Sequence, residues 1–362
     1  MTQMVEAGLV GDHRKLQLLA LKCIRTMRQS DPSQANEMAQ VLARSAAGGS
    51  ALRRRGAPPP PEDSEAGYSL LRFPPTEQAL EPELPPRTRD TVRRFVNERR
   101  ESTRLMSAGI APPRTVLLKG APGTGKTMLS SWLAKELGLP LVVLDLATSI
   151  SSYLGKTGSN LRRILDYGRA TPCLMLLDEF DSIAKRRDDA SDVGELKRIV
   201  NVLLKELEDW PMHSVLVGAT NHPDILDPAI HRRFDLVVHL PLPGAAERIA
   251  ILRHTLEEHE NTLPPGFLAA VSGALADLSG SDLTTLANAA LRRHLVADIP
   301  LAQCMAETID ECCQDGLPRP ILGNLVRGLK KERGMTVRKI AEILGKGSST
   351  IQYHLKKEKA HA

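Results

Sequence analysis

The stretch GAPGTGKT, residues 120–127, follows the apolar run TVLLK and precedes the helical pattern TMLSSWLAKELG. It fits the spacing G-x-x-x-x-G-K-[ST], in which glycine N–H groups and a helix N-terminus surround phosphate oxygens. In this spacing Lys126 reaches the β and γ phosphates, and the Thr127 hydroxyl binds Mg²⁺. The alternative is a Gly-rich turn with an incidental lysine. Because a strand-like run precedes the motif and a helix follows it, the stretch predicts a P-loop NTPase fold.

Strand-like and helical patterns alternate around this loop, from about residue 85 to residue 243. The strand-like runs are TVLLKG, PLVVLDL, CLMLLDEF, SVLVGATN and LVVHLPLP. Nearly continuous apolar strands that alternate with helices are typical of a parallel sheet covered on both faces. The pattern therefore predicts an α/β fold, a P-loop parallel sheet sandwiched by helices.

The 362 residues divide into five predicted segments. Two helical patterns joined by Asp31 and Pro32, an N-cap and a first helical residue, form a hairpin at the N-terminus. A stretch rich in Pro, Gly and charge follows as a linker. Beyond the α/β domain come a small helical lid and a basic tail. The predicted boundaries are 1–46 for the hairpin, 47–84 for the linker, 85–243 for the nucleotide-binding domain, 244–315 for the lid and 316–362 for the tail.

Composition indicates a globular protein, with 42% hydrophobic and 25% charged residues. No apolar run approaches the roughly 18 to 20 residues of a membrane span, and no signal peptide is evident, so the expected location is cytoplasmic. Five cysteines without a C-x-x-C pair indicate neither a disulfide framework nor a zinc site. The formal net charge is +5, and the tail from residue 327 onward carries ten Lys or Arg against three Asp or Glu.

Three further elements carry chemistry at the predicted strand ends. CLMLLDEFD ends a strand in Asp178 and Glu179, at the sheet edge where ligands of open α/β folds bind. Asp178 suits Mg²⁺, and Glu179 suits polarising an attacking water. SVLVGATN ends in Asn221, which suits positioning water or the γ-phosphate. HRRFD offers Arg232 and Arg233, a pair that taken alone is more often a solvated surface.

In order and spacing these elements resemble the AAA family of ATPases, within the larger AAA+ class. GAPGTGKT, LMLLDEFDSIAKRR and VGATNHPDILDPAIHRRFD look like its Walker A, Walker B and second region of homology. The resemblance covers roughly residues 85–300. It implies catalytic roles for Glu179, for Asn221 as sensor 1, and for Arg232 and Arg233 as arginine fingers that act at a neighbouring subunit.

The resemblance also implies ATP and Mg²⁺ as cofactors and a ring, expected to be a hexamer. The two arginines lack the glycine that many AAA proteins carry between them, as in the katanin, spastin and bacterial single-ring forms, so the principal finger stays open. The lid sequence LSGSDLTTLANAAL is similar to the Gly-containing turn that the lids of AAA proteins place near the nucleotide. The implied cofactor-binding residues, with Thr127 and Asp178 as Mg²⁺ ligands, are Gly120, Pro122, Gly123, Thr124, Gly125, Lys126, Thr127, Met128, Asp178 and Gly280.

The segment ISSYLGKTGSNLRRI lies between the second strand and Walker B. Its Tyr153, Leu154 and Gly155 are in surroundings too polar for a core, although the tyrosine could pack over a helix start. An aromatic, an aliphatic and a glycine at this position resemble the AAA pore loop, which implies a grip on a polypeptide substrate. RRDDASDVGELKR after Walker B is either a second pore loop or an ordinary solvated loop.

The tail sequence MTVRKIAEILGKGSSTIQYHLKKEK resembles a helix-turn-helix, with Ala341 at the helix crossing and Gly345 in the turn. This reading predicts base and phosphate contacts to DNA, and the alternative is a protein-docking module with a basic face. The predicted DNA-binding residues are Arg338, Lys339, Lys346, Ser349, Gln352, Tyr353, His354 and Lys356.

Two functional hypotheses follow from the sequence. The first is an ATP-hydrolysing AAA ring that remodels or unfolds a protein partner through its pore and is tethered to DNA by its tail. The second is an ATP-switched DNA-binding regulator whose nucleotide state controls assembly on DNA. No membrane partner is expected.

Overall fold

The computed structural model describes residues 13–46, 61, 71–146, 157–182, 203, 207, 209–226, 228–314, 320–331 and 335–356. The chain forms two compact units. The first unit consists of Met1–Pro82, Pro86–Gly120 and Lys126–Leu240, and the second of Glu83–Pro85, Ala121–Gly125 and Pro241–Ala362. No helix among those described is both long and apolar enough to cross a bilayer.

The first unit is built on a five-stranded parallel sheet. Its strands are β1 (Thr115–Lys119), β2 (Leu141–Asp145), β3 (Leu174–Asp178), β4 (Val215–Thr220) and β5 (Leu236–His239). Their order in the sheet is β2-β3-β4-β1-β5, and all the strand pairs are parallel. Every residue of β4 is buried, and β1, β2 and β3 are buried except at their last residues. The predicted parallel α/β fold is confirmed.

Eight helical segments of the first unit have both of their ends described. They are α1 (His13–Ser30), α2 (Pro32–Ala46), α3 (Pro86–Arg100), α4 (Ser102–Ser107), α5 (Lys126–Leu137), α6 (Thr157–Ala170), a 3-10 turn (Pro223–Ile225) and α7 (Pro228–His231). The helices α1 and α2 pack as a hairpin, and Asp31 caps α2 by accepting hydrogen bonds from the N–H groups of Ser33 and Gln34, both at 3.1 Å. The hairpin rests on α4, where Leu21 packs with Met106 and Met212.

The second unit is helical in its described residues. Its helices are α8 (Ala245–Leu256), a 3-10 segment (Glu257–Thr262), α9 (Phe267–Ala274), α10 (Gly280–Ala297), α11 (Leu301–Gln314), α12 (Pro320–Lys331), α13 (Val337–Ile343) and α14 (Ser348–Lys356). Ser279 and Asp282 form a capping box at the start of α10, which fixes where this helix begins. Arg248 on α8 is buried and donates to the carbonyls of Pro243 and Ser272.

The last three helices share one hydrophobic core with the other helices of this unit. Ile340, Leu344 and Ile351 are fully buried in the same cluster as Phe267 on α9. The helix α12 packs along α9, and a Cβ at Gly328 would lie 2.8 Å from the Cβ of Ala270. This glycine therefore lets the two helices approach closely. The helices α13 and α14 in turn pack against α12.

Candidate nucleotide site

The predicted phosphate-binding loop joins the end of β1 to the start of α5. Gly123 and Gly125 have φ angles of +74° and +93°, in the region that favours glycine. Side chains at these two positions would strain the backbone turn. Lys126 and Thr127 are the first two residues of α5, so their backbone N–H groups lie at the helix N-terminus, where phosphate binds best.

Lys126 is 7% exposed, and its Nζ donates a hydrogen bond to the Gly120 carbonyl oxygen at 2.8 Å. Burial lowers the pKa of Lys126, while Asp178 and Asp181 partly offset that effect. The lysine is thus a buried cation directly after the predicted phosphate-binding loop. A phosphate group brought to this loop would place further negative charge beside the buried ammonium.

Thr127 and Asp178 lie next to each other at the carboxyl edge of the sheet. The Thr127 hydroxyl is 3.4 Å from Asp178 Oδ2. Both groups offer oxygen, the ligand type that Mg²⁺ prefers, and Mg²⁺ in nucleotide sites usually takes one or two protein ligands together with phosphate and water. The two side chains therefore fit the Mg²⁺ ligation that the sequence predicts. Across the described residues, no group of three or more His, Cys, Asp or Glu side chains forms a metal site.

Glu179 follows β3 directly and is exposed. Its φ angle is +51°, a left-handed conformation that is costly for a residue other than glycine. Its N–H donates to Asp178 Oδ1 at 2.9 Å, and the N–H of the following Phe180 donates to the Ala219 carbonyl at 2.8 Å. Glu179 is thus held in a sharp turn between two fixed backbone points, and strain of this kind often accompanies a functional site.

Asn221 follows β4 and is held by a residue that the sequence analysis did not single out. Asp181, 3% exposed, accepts hydrogen bonds at Oδ1 from the Thr220 hydroxyl at 3.1 Å and from the Asn221 N–H at 3.2 Å. The fourth residue of the run DEFD therefore connects the end of β3 to the end of β4. The signal for it was present, because a third carboxylate that follows an apolar strand needs a partner when it is buried.

Arg232 and Arg233 are exposed, in the turn between α7 and β5. Asp235, which the sequence analysis also passed over, fixes this turn to the sheet. Its Oδ2 accepts from the N–H groups of Arg114 at 2.7 Å and Thr115 at 3.0 Å. The segment that carries the two arginines is thus anchored to the start of β1.

In the second unit, the loop residues 121–125 meet the start of α10. The Ser281 N–H donates to the Gly123 carbonyl at 3.1 Å, and a Cβ at Gly123 would collide with the Ser279 hydroxyl. A Cβ at Gly280 would lie 3.5 Å from the same Gly123 carbonyl. The predicted glycine of the lid is thus beside the phosphate-binding loop. Pro122, Thr124 and Met128 occupy the same loop and the helix that follows it, and Met128 is exposed.

The other predicted residues divide into three groups. Tyr153, Leu154 and Gly155 lie outside the described residues, as does the proposed second pore loop. Lys346 forms an ion pair with Asp310 at 2.8 Å, and His354 is half-buried against Gly323. The remaining predicted DNA-binding residues are exposed on α13 and α14: Arg338, Lys339, Ser349, Gln352, Tyr353 and Lys356.

Comparison with known proteins bears on the same region. Residues 116–242 match the model of the ATPase family associated with various cellular activities (AAA). The chain contains an AAA family ATPase domain. The matched residues run from β1 to just beyond β5 and include the loop at 120–127, both acidic residues at the end of β3, Asn221 and the arginine pair. ATPase is the enzyme class of this domain.

Three curated relatives are similar to this chain over part of their length. The chain is 41% identical over 152 residues to an uncharacterized AAA family ATPase, y4kL, of Sinorhizobium fredii, covering 42% of this chain and 46% of that protein. It is 40% identical over 199 residues to an ATP-dependent zinc metalloprotease, FtsH 3, of Sphaerobacter thermophilus, covering 53% and 40%. It is 41% identical over 154 residues to Protein SAV of Sulfolobus acidocaldarius, covering 41% and 20%. The chain thus spans less than half the length of these relatives.

Proposed function

We propose that this chain hydrolyses ATP at the AAA site and uses the energy to remodel or unfold a protein partner. The observation that carries the proposal is the convergence of Lys126, Thr127, Asp178 and Glu179 at one edge of the sheet, with Thr127 and Asp178 3.4 Å apart. Lys126 holds the β and γ phosphates, and Glu179 polarises the attacking water. Bound Mg²⁺ would supply charge neutralisation on the phosphates, held by Thr127 and Asp178.

The arginine pair supports assembly as part of catalysis. Arg232 and Arg233 are exposed, and Asp235 anchors their segment, which suits a rigid projection toward a second protomer. An arginine finger contributes about 10³ to 10⁵ in turnover by stabilising charge in the transition state. We therefore propose a ring, a hexamer by resemblance to the family, in which Tyr153, Leu154 and Gly155 grip the polypeptide.

A substrate trap tests this proposal. Glu179→Gln, purified from its own cells in ATP and Mg²⁺, should retain a specific protein client. Adding Tyr153→Ala should release that client while leaving ATP bound. If the same protein stays bound with Tyr153→Ala, threading by the pore loop is wrong.

For the tail, we propose binding to duplex DNA through α14. Three helices, α12, α13 and α14, pack around Ile340, Leu344 and Ile351, and Gly345 takes a φ of +60° in the turn. Thr336 caps α13 by accepting from the Lys339 N–H. Gln352 and Tyr353 are then the exposed side chains suited to base edges, and Arg338 and Lys339 are suited to phosphates.

The competing proposal is an ATP-switched DNA regulator that threads no substrate. The observation in its favour is that α12 and the proposed DNA-binding helix α14 both contribute to the hydrophobic core of the second unit. The helix α14 is therefore packed against the rest of that unit. Recovery of defined DNA with Glu179→Gln, without a protein client, would favour this regulator. A protein client that is lost with Tyr153→Ala would favour the remodelling ring.

A further inference from the structure

Two phenylalanines adjoin the two catalytic elements of the first unit. Phe180 follows Glu179, and Phe234 follows Arg233. Their ring centroids are 6.0 Å apart with an interplanar angle of 75°, an edge-to-face arrangement that is favourable for aromatic pairs. Both rings are buried, at 2% and 7% exposure. A direct aromatic contact therefore joins the segment that carries the catalytic glutamate to the segment that carries the arginine pair.

The contact depends on a glycine in the central strand. A Cβ at Gly218 of β4 would lie 3.1 Å from the Phe234 ring and 3.4 Å from the Phe180 ring. Both rings therefore pack over one point of the sheet where no side chain stands. The Phe180 N–H donates to the carbonyl of Ala219, the residue after Gly218 in β4, at 2.8 Å. This hydrogen bond fixes the backbone of Phe180 to the same strand.

The arginine segment has a second attachment at its other side. Asp235 holds it to the backbone at the start of β1, and the Arg233 N–H donates to the Ile230 carbonyl at 3.0 Å. Ile230 is itself buried in the same cluster as both phenylalanines. Asp235 thus fixes the arginine segment to the start of β1, and Phe234 fixes it to Phe180.

We propose that Phe180 and Phe234 are positioning residues that couple neighbouring ATPase sites. A movement of the Glu179 turn, as nucleotide binds or leaves, displaces Phe180 and through it Phe234 and the arginines. The arginines in turn serve the site of the next protomer. The proposal rests on the proposed function, because it requires the arginines to act in trans.

A mixing experiment separates action in trans from a local structural role. The acceptor is Arg232→Ala/Arg233→Ala, whose own site is intact. The donor is Glu179→Gln, which keeps its arginines and binds ATP without turnover. Each alone should be nearly inactive, and the mixture should regain ATPase activity at acceptor sites. Phe180→Leu is then introduced into the donor alone, where the site beside Phe180 turns over no ATP.

The expected result is a fall of about tenfold or more in the recovered kcat, because a misplacement of about 1 Å can cost about 10²-fold. The KM for ATP should stay unchanged, since every active site belongs to an unaltered acceptor. Phe234→Leu in the donor should give a similar loss, and the double variant should cost no more than either single one. Phe267→Leu in the donor is the matched control, a fully buried phenylalanine of the second unit.

Three outcomes would overturn the proposal. Undiminished recovery with the Phe180→Leu donor means that the ring contact does not set the arginine position. An equal loss with Phe267→Leu means that the effect is general destabilisation. Failure of the parent mixture to regain activity means that the arginines do not act in trans, which removes this part of the proposed function as well. Phe180→Met, which retains most of the side-chain volume, replaces Phe180→Leu if that donor melts early.

Discussion

Asp181 holds Asn221 through a partly buried hydrogen bond of 3.2 Å from the Asn221 N–H to the carboxylate, which also accepts a buried hydrogen bond from the Thr220 hydroxyl. Asp181→Ala removes this acceptor from the buried Thr220 hydroxyl, which costs about 1–3 kcal/mol when unsatisfied, and from the partly buried Asn221 N–H, which costs less. We expect a lower melting temperature and a lower kcat for ATP hydrolysis, with nucleotide affinity largely kept. Asp181→Asn is the matched control, since its amide oxygen can still accept. Equal kcat values for Asp181→Ala and the wild type would show that Asp181 does not position Asn221 for catalysis.

The left-handed backbone of Glu179 predicts a conflict between stability and activity. A non-glycine residue in this region costs about 1–2 kcal/mol, which glycine relieves, although glycine also loses about 0.4–1 kcal/mol through its flexible unfolded chain. Glu179→Gly should therefore unfold at a higher temperature than Glu179→Ala, by about 0.5–1 kcal/mol in unfolding free energy. Both variants should lack turnover. Thermal melting without nucleotide makes the comparison, and a less stable Glu179→Gly would show that the turn stores no strain.

The buried Lys126 predicts a particular dependence of stability on pH. Because burial lowers its pKa in the folded state below the ordinary 10.5, the unfolded chain binds more protons between those two values. Wild-type stability should therefore rise with pH in that window relative to Lys126→Met, which has no such titration. Melting of both proteins from about pH 8 to pH 10.5, without nucleotide, gives the difference. A constant difference would mean that the ammonium is effectively solvated.

The tail should show two distinct kinds of basic residue. Arg338→Ala/Lys339→Ala removes two exposed charges from α13 and should weaken DNA binding at all sequences. It should also reduce the slope of affinity against salt by about one for each phosphate that the protein no longer neutralises. Lys346→Ala breaks the ion pair with Asp310, so we expect mainly a small loss of stability. Titrations of duplex DNA at several salt concentrations test this, and an unchanged slope for the double variant would remove α13 from the DNA interface.

The sheet was predictable because four of its five strands are apolar almost to their last residue. The runs TVLLK, LVVLD, LMLLD and VLVGAT correspond to buried strands, and the loop at 120–127 marks where the first of them ends. Apolar runs and glycine spacing are local signals. The strand order β2-β3-β4-β1-β5 is not local, since it depends on how the helical crossovers pack, and the sequence analysis made no prediction of it.

The supporting residues of the site were harder to predict for the same reason. Asp181 and Asp235 act through backbone N–H groups of Asn221 and Arg114, about 40 and 121 positions away in sequence. The contact between Phe180 and Phe234 likewise requires the Gly218 position to be bare. Lys346 fits a phosphate-binding pattern in the tail, but its partner Asp310 is on another helix. Motifs indicate which groups carry the chemistry, whereas tertiary packing determines what holds them.

Steady-state ATPase activity of Glu179→Gln, measured beside its ATP affinity, tests the central claim most directly. The claim is that Glu179, in its strained turn after β3, polarises the attacking water while Lys126 and Thr127 hold the nucleotide. The account predicts ATP binding close to that of the wild type and a kcat lowered by about 10² or more, as for loss of a general base. A Glu179→Gln protein that hydrolyses ATP as fast as the wild type would contradict it.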